Sequence, residues 1–316
     1  MIFVICIREF GISMKKSIIA FYKFVDINDP NALKIDLKNF LKETSILGTI
    51  ILSKEGINGM CSSNEFEIKS FKGFLLKNSL FSDLEIKESF YLKAPFKKMS
   101  IKIKDEIVPI GDEEVKPNIK VGKYVEPEKW DEFISNEDVV VIDTRNDFEV
   151  ELGSFEGSVN PKTKSFREFP VWWEKNKNKY QGKKIAMFCT GGIRCEKSTS
   201  YLINHGATEV FHLKGGILNY FEKLEVSEKN KWKGECFVFD QRVSLTPQLM
   251  AGSFELCFGC RNPINEKDKK DFSYEPGVSC PKCHKSKSEK KILGLRERQK
   301  QTYLKFEREK KKVISL

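Results

Sequence analysis

The sequence predicts a multidomain protein with an α+β domain, an α/β domain containing a parallel sheet, and a cysteine-rich C-terminal region. Three observations lead to this expectation. The first third of the chain follows the element order β-α-β-β-α-β. Apolar strands then alternate with helices over 127–224, which favours a parallel sheet. Two Cys-x2-Cys pairs follow in the last quarter of the chain.

The first predicted domain spans residues 14–110. Pro30 fits the first turn of one helix, and Asn64 is a suitable cap for the other. The predicted elements are strands over 17–25, 47–52, 57–61, 84–92 and 99–108, and helices over 30–43 and 65–77. The order of the first six elements predicts a ferredoxin-like domain. The last strand, 99–108, leads the chain out of this domain.

The second predicted domain spans residues 124–225 and follows a linker, 109–117, rich in Pro, Gly and acidic residues. Its strands are short continuous apolar runs, which is typical of strands buried on both faces. The predicted strands cover 139–143, 185–188 and 210–213, and helices begin at Pro127 and cover about 167–178 and 194–205.

The third predicted region, 232–316, begins with a strand-like stretch over 234–243. Its last part, 285–312, holds twelve Lys and Arg residues against four Glu. Such a charge run predicts either a basic helix or a disordered tail.

Composition limits the class of protein. Hydrophobic residues make up 40% of the 316 residues, which is too many for a disordered chain. No apolar run approaches the roughly 18 residues of a membrane span, and the apolar start lacks the flanks of a signal peptide. We therefore expect a cytoplasmic protein that does not enter the membrane. The net charge of +10 suggests a nucleic-acid partner, although a genome that favours Lys codons explains it equally well.

The strongest chemical signal is a loop that directly follows an apolar strand and precedes a helix. It consists of Cys189, Thr190, Gly191, Gly192, Ile193, Arg194 and Cys195. Adjacent glycines before a helix turn backbone N–H groups toward one point, and a nearby guanidinium adds positive charge. Both effects lower the pKa of a thiol, so the sequence predicts Cys189 as a nucleophile with Arg194 as its partner.

Three residues in or near this loop each allow two interpretations. Asp143 and Arg145 end a predicted strand, where they either face the active site or form a structural ion pair. Cys195 either resolves an oxidised Cys189 or packs against the sheet.

The second signal is a pair of Cys-x2-Cys motifs separated by nineteen residues, with the thiols of Cys257, Cys260, Cys280 and Cys283. Four thiolates at this spacing predict a tetrahedral structural Zn²⁺ site. His284 is an alternative ligand next to the second pair. Free or redox-active thiols are the alternative interpretation.

The loop CTGGIRC resembles the active-site loop of rhodanese domains, Cys-x-x-Gly-x-Arg. Other rhodanese-like segments are Asp143-Thr144-Arg145, Glu149, Gly153, Gly157, Asn160 and the stretch HLKGG at 212–216. The segment departs from the usual pattern at Phe155-Glu156, where a His is common. This resemblance covers about residues 124–225.

Three stretches, 48–60, 189–199 and 234–243, also resemble the bacterial tRNA uridine(34) hydroxylase family over most of the chain. The resemblance implies a ferredoxin-like domain, a rhodanese domain and a Cys-rich C-terminus. It further implies oxygen-dependent conversion of the wobble uridine of tRNA to 5-hydroxyuridine. tRNA is then the partner, molecular oxygen the co-substrate and Cys189 the active-site cysteine.

Other functions remain open on the residues alone. The loop suits a sulfurtransferase that passes persulfide sulfur from Cys189 to an acceptor. It suits a phosphatase less well, because it is one residue shorter than the loop of cysteine phosphatases. A non-catalytic RNA-binding module would not need Cys189 and Arg194. With three His and no glycine-rich nucleotide motif, the sequence identifies no iron, flavin or NAD site.

Overall fold

The computed structural model describes residues 15–92, 95–224 and 230–314. The chain forms two compact units. The first runs to Asp147 and resumes over Gly157–Lys231, so it contains most of both predicted N-terminal domains. The second combines 148–156 with the residues from Trp232 onward. The predicted domain limits at residues 14, 225 and 316 lie outside the described residues.

The first part of the chain has the predicted ferredoxin-like fold. Its elements are β1 (Lys16–Phe24), α1 (Pro30–Leu41), β2 (Leu47–Ser53), β3 (Gly56–Ser63), α2 (Glu65–Lys77), β4 (Ile86–Tyr91) and β5 (Met99–Ile103). The side chain of Asp29 caps α1 and that of Asn64 caps α2, because each accepts a hydrogen bond from a backbone N–H of the first turn.

These strands form one sheet in the order β4-β1-β3-β2-β5. The pairs among β1 to β4 are antiparallel, whereas β5 runs parallel to β2. Leu37 of α1 and Phe71 of α2 are fully buried in the core with Ile50 of the sheet. Burial of these apolar faces stabilises the layer of helices on the sheet.

The fifth strand is shorter than the sequence predicts. It ends at Ile103, and the prediction that it continues to residue 108 is wrong. The Glu106 carboxylate accepts hydrogen bonds from the backbone N–H groups of Ile110 and Gly111, which bends the chain into a turn. Ile107 and Val108 pack instead into the core of the next domain.

The second part of the chain is the predicted α/β region. Its elements are β6 (Lys123–Val125), α3 (Pro127–Phe133), β7 (Val139–Asp143), α4 (Asp147–Val150), β8 (Gly153–Phe155), α5 (Phe169–Asn176), β9 (Lys184–Phe188), α6 (Ile193–Asn204), β10 (Val210–Leu213) and α7 (Gly216–Lys223). The sheet order is β6-β10-β9-β7, and every pair is parallel. The parallel sheet is confirmed.

The second unit contains the cysteine-rich region. Its remaining elements are β11 (Trp232–Gly234), β12 (Cys236–Phe237), β13 (Ser244–Leu245), β14 (Glu255–Leu256), β15 (Pro263–Ile264), α8 (Glu266–Lys269) and α9 (Glu289–Ile314). β8 joins this unit by pairing antiparallel with β11. The stretch 234–243 is not one strand, because Val238 N–H donates to the Val243 carbonyl at 2.9 Å and β12 and β13 form a tight hairpin.

The basic C-terminal segment forms a helix, which is the first of the two structures that the sequence predicts for it. Its first half packs on the cysteine-rich region. Leu295 is buried, the Arg296 guanidinium pairs with Glu275, and Arg298 donates to the Phe258 carbonyl oxygen at 2.6 Å. Throughout 15–92, 95–224 and 230–314, every helix is too short or too polar to cross a membrane.

Candidate active site

Cys189 lies at the carboxyl end of β9, where the chain turns into α6. Its Sγ accepts a hydrogen bond from the backbone N–H of Gly192 at 3.1 Å, and only 1% of the residue is exposed. Gly192 precedes α6 with φ 103°, and a Cβ there would lie 2.7 Å from the Tyr22 hydroxyl. The loop can therefore turn amide dipoles toward the sulfur only with glycine at this position.

The start of α7, at Gly215 and Gly216, supports the same loop from the other side. The N–H of Ile217 donates to the Cys189 carbonyl at 2.9 Å, and the N–H of Leu218 donates to the Thr190 carbonyl at 3.1 Å. Gly216 has φ 69°, and a Cβ there would lie 2.4 Å from the Cys189 carbonyl oxygen. The first N–H groups of α7 thus hold the loop carbonyls in place.

The surroundings of Cys189 favour a thiolate. Burial alone would raise its pKa, but a hydrogen bond from Cys195, the charge of Arg194 and backbone N–H groups lower the pKa to about 5. Burial raises the pKa of Cys195 well above its usual value, and the neighbouring Cys189 raises it further. The pair therefore holds its negative charge on Cys189, and Cys195 donates.

Side chains of the ferredoxin-like domain reach this loop. Lys87 on β4 donates from Nζ to the Gly191 carbonyl at 3.1 Å and also to the Gly215 carbonyl. The Tyr22 hydroxyl on β1 donates to Glu196 Oε1 at 2.8 Å, in the first turn of α6. The loop is thus held by two domains rather than by the parallel sheet alone.

A buried ion cluster joins the same two domains behind the loop. Lys197 is 1% exposed, and its Nζ lies 2.6 Å from a Glu55 carboxylate oxygen and 2.9 Å from one of Glu106. Glu55 lies in the turn between β2 and β3, and its other oxygen accepts from the backbone N–H of Ile107 at 2.7 Å. The turn over 54–59 is therefore fastened to the helix that carries the active-site loop.

Asp143, the last residue of β7, and Arg145 form a fully buried ion pair at 2.6 Å. The Arg145 guanidinium lies 5.8 Å from the ring centre of Phe188, the residue before Cys189. Between them, the Thr144 hydroxyl donates to the Phe188 carbonyl at 3.0 Å. This geometry supports the interpretation of Asp143 and Arg145 as a structural ion pair that stabilises the start of the loop.

The four cysteines of the second unit come together. The Sγ atoms of Cys257, Cys260, Cys280 and Cys283 all lie within 4.8 Å of one another. Sulfur–sulfur distances are 4.0 Å for Cys257–Cys283, 3.8 Å for Cys260–Cys280 and 3.7 Å for Cys280–Cys283. Tetrahedral zinc with bonds of about 2.3 Å needs sulfurs about 3.8 Å apart, so this set fits the ion.

His284 is not part of this cluster. Its Nδ1 lies 3.2 Å from the Pro281 carbonyl oxygen, and its ring contacts Phe272 edge to face. The expectation that it substitutes for a cysteine ligand is not supported by this arrangement.

Sequence reasoning missed three residues of the site, namely Tyr22, Lys87 and Glu196. Glu196 directly follows the loop in sequence, so its place in the site was predictable from that position. Tyr22 and Lys87 lie more than a hundred residues away from the atoms they contact. No periodicity or motif within β1 or β4 indicates such a long-range contact.

Comparison with known proteins identifies both parts of the first unit. Residues 16–107 match the family model of the UPF0176 acylphosphatase like domain, and residues 126–223 match the rhodanese-like domain. Three proteins named tRNA uridine(34) hydroxylase are each 48% identical to this chain. The one from Picosynechococcus sp. aligns over 84% of this chain and 89% of its own length. Those from Roseobacter denitrificans and Ruegeria pomeroyi each align over 91% of this chain and over 97% and 95% of their own lengths.

Proposed function

The chain belongs to the tRNA uridine(34) hydroxylase family, and on that premise we propose that it hydroxylates uridine 34 of tRNA with Cys189 as its reactive group. The product is 5-hydroxyuridine, and molecular oxygen is the co-substrate. A tRNA substrate places the reaction in the cytoplasm. The observation that carries the proposal is the environment of the Cys189 sulfur.

That environment supports a nucleophile. A thiol with a pKa of about 5 is almost fully ionised at neutral pH. Gly192 N–H and the charge of Arg194 stabilise negative charge on the sulfur or on a group bonded to it. The loop carbonyls are fixed by α7 and Lys87, so the sulfur is held in one orientation.

The test replaces Cys189 by Ser, which keeps the size and removes the thiolate. We expect a deletion strain that carries only the Cys189→Ser variant to contain no 5-hydroxyuridine in its tRNA nucleosides by mass spectrometry. Cys61→Ser is the matched control, because Cys61 is fully buried in the core of the ferredoxin-like domain. Normal 5-hydroxyuridine in the Cys189→Ser strain would refute the role of Cys189.

Sulfur transfer is the second candidate. The same N–H groups and the charge of Arg194 favour it, because a persulfide on Cys189 is also an anion. The two functions give different products. A sulfurtransferase would release thiocyanate from thiosulfate and cyanide, and its loss would leave 5-hydroxyuridine unchanged. Both assays on wild-type protein and Cys189→Ser separate the candidates.

We propose that Zn²⁺ is the metal of the four-cysteine cluster and that its role is structural. Four protein ligands complete a tetrahedral site and leave no open position for substrate. The ion would link two loops whose apolar cluster is small, consisting of Ile264, Tyr274 and the cysteines themselves. Chelation should therefore unfold this region before it affects the Cys189 loop.

We propose that the second half of α9 contributes to tRNA binding. Residues 301–316 hold five Lys and Arg against two Glu. The helix contacts the cysteine-rich region up to Arg298. A truncation after residue 300 can therefore remove the basic end without disturbing that region. Lys and Arg bind RNA largely by releasing counterions from phosphates, which makes binding salt-dependent.

A further inference from the structure

The carboxylate of Glu196 is enclosed by groups from several elements beside the reactive cysteine. Its Oε1 accepts a hydrogen bond from Tyr22 on β1 at 2.8 Å and from Tyr124 on β6 at 3.3 Å. Lys87 on β4 is bonded to the neighbouring loop carbonyls. Two phenols therefore fix a carboxylate in the first turn of the helix that Cys189 precedes.

Glu196 is partly exposed to solvent, and Tyr124, which donates to it, is 49% exposed. By contrast, the carboxylate of Asp143 is fully buried and forms an ion pair with Arg145. Among the carboxylates close to the loop, Glu196 has the position and the access that proton transfer requires.

The proposed reaction creates a need for such a group. Hydroxylation at C5 of uridine replaces a hydrogen by a hydroxyl, so C5 must lose a proton. We propose that Glu196 is the general base that accepts this C5 proton, with Tyr22 and Tyr124 as positioning residues. The step begins from a ring that has already been hydroxylated, in which C5 carries both its hydrogen and the new hydroxyl and C6 is bonded to Cys189 Sγ. The proton on C5 moves to the Glu196 carboxylate, the C5–H electron pair forms the C5–C6 double bond, and the C6–S bond breaks so that its electron pair returns to Cys189 as the thiolate. This inference rests on the proposed function.

The titration of Glu196 agrees with this role. Burial, together with the negative charges of Cys189 and Glu85, outweighs the hydrogen bonds from Tyr22 and Tyr124 and raises the pKa of Glu196 to about 7. A base with a pKa near the operating pH is the most effective. Because only the ionised form accepts a proton, the rate should rise with pH through about 7, well above the ionisation of Cys189.

The experiment compares full-length wild-type protein with Glu196→Gln, which keeps the shape and the acceptor oxygen but removes the base. Unmodified tRNA carrying deuterium at C5 of uridine 34 is the substrate, in air-saturated buffer at a series of pH values. Glu209→Gln is the control, because the Glu209 side chain forms an exposed ion pair with Lys123. Glu196→Asp tests rescue by a shorter carboxylate.

We expect Glu196→Gln to lose about 10²–10⁴-fold in rate, to lose the rise near pH 7 and to show a larger deuterium isotope effect. Alkylation of Cys189 and tRNA affinity should stay as in the wild type, and Glu196→Asp should recover part of the rate. An unchanged rate or isotope effect in Glu196→Gln would overturn the proposal, as would an equal loss of Cys189 alkylation. Wild-type protein that makes no 5-hydroxyuridine would refute the proposed function itself and the role of Glu196 with it.

Discussion

The charge of Arg194 should be measurable as a shift in the pKa of Cys189. Arg194 is buried in the first turn of α6, and its charge is among the causes that hold this pKa at about 5. One nearby opposite charge typically lowers a pKa by about 1–3 units. We therefore expect Arg194→Ala to raise the pKa of Cys189 to about 6–8, while the hydrogen bonds of Cys195 and Gly192 keep it below that of an ordinary thiol.

The choice of pH decides whether this effect is visible. At pH 7 the wild-type thiol is almost fully ionised, and a variant with a pKa of about 6 would still be about 90% thiolate. At pH 5 the wild type is about half ionised, whereas the variant would be about 0.1–10% ionised. The alkylation rate should then fall by about fivefold to several hundredfold at pH 5 and much less at pH 7.

The assay is the pH dependence of iodoacetamide labelling between pH 4 and 9, read by peptide mass spectrometry so that Cys189 is separated from the other thiols. Arg194→Lys should recover part of the shift, because it keeps the charge. Arg261→Ala, an exposed Arg of the second unit, controls for loss of net charge. A labelling profile for Arg194→Ala that superimposes on that of the wild type would refute this account of the loop, provided that both proteins melt cooperatively.

Three further outcomes are expected. Protein purified without chelator should hold about one zinc per chain, and Cys257→Ser should lose it while Cys236→Ser keeps it; zinc-free wild-type protein with four freely titrating thiols would contradict the site. Truncation after residue 300 should weaken tRNA binding and reduce the slope of log affinity against log salt concentration by about 0.7–0.9 per lost phosphate contact. Equal affinity of the full-length and truncated proteins from about 50 to 200 mM salt would show that the helix end does not bind tRNA. Lys197→Met should destabilise the first unit by about 3–5 kcal/mol in urea titration, since it removes the buried cation between Glu55 and Glu106 and leaves Glu106 paired with the more distant Arg167 at 3.7 Å. A loss below about 1 kcal/mol would argue against the cluster.

Elements were predictable where the signal is local. Val139–Asp143 reads as a buried strand from its own residues, and Asn64 caps α2 as its side chain indicates. The cysteine loop was found for the same reason, because its glycines, its Arg and its preceding strand are contiguous in sequence.

What escaped prediction depends on contacts between distant segments. Nothing within Gly153–Phe155 shows that it pairs with the distant segment Trp232–Gly234 and so joins the second unit. The end of β5 is set by hydrogen bonds to Glu106, a residue that looks like any other surface carboxylate in the sequence. In the same way, Lys87 reads as an exposed strand residue until the loop carbonyls that it contacts are known.

The Lys197 cluster bears on how this protein can change during evolution. If residues 124–225 alone were exchanged for a rhodanese domain whose helix has no Lys at this position, Glu55 and Glu106 would lose their shared cation. In the reverse exchange, an N-terminal domain without these two carboxylates would leave Lys197 buried without its partners. Either chimera carries an unbalanced charge in its interior, so the two domains should be inherited together, and substitutions at 55, 106 and 197 should be correlated among descendants.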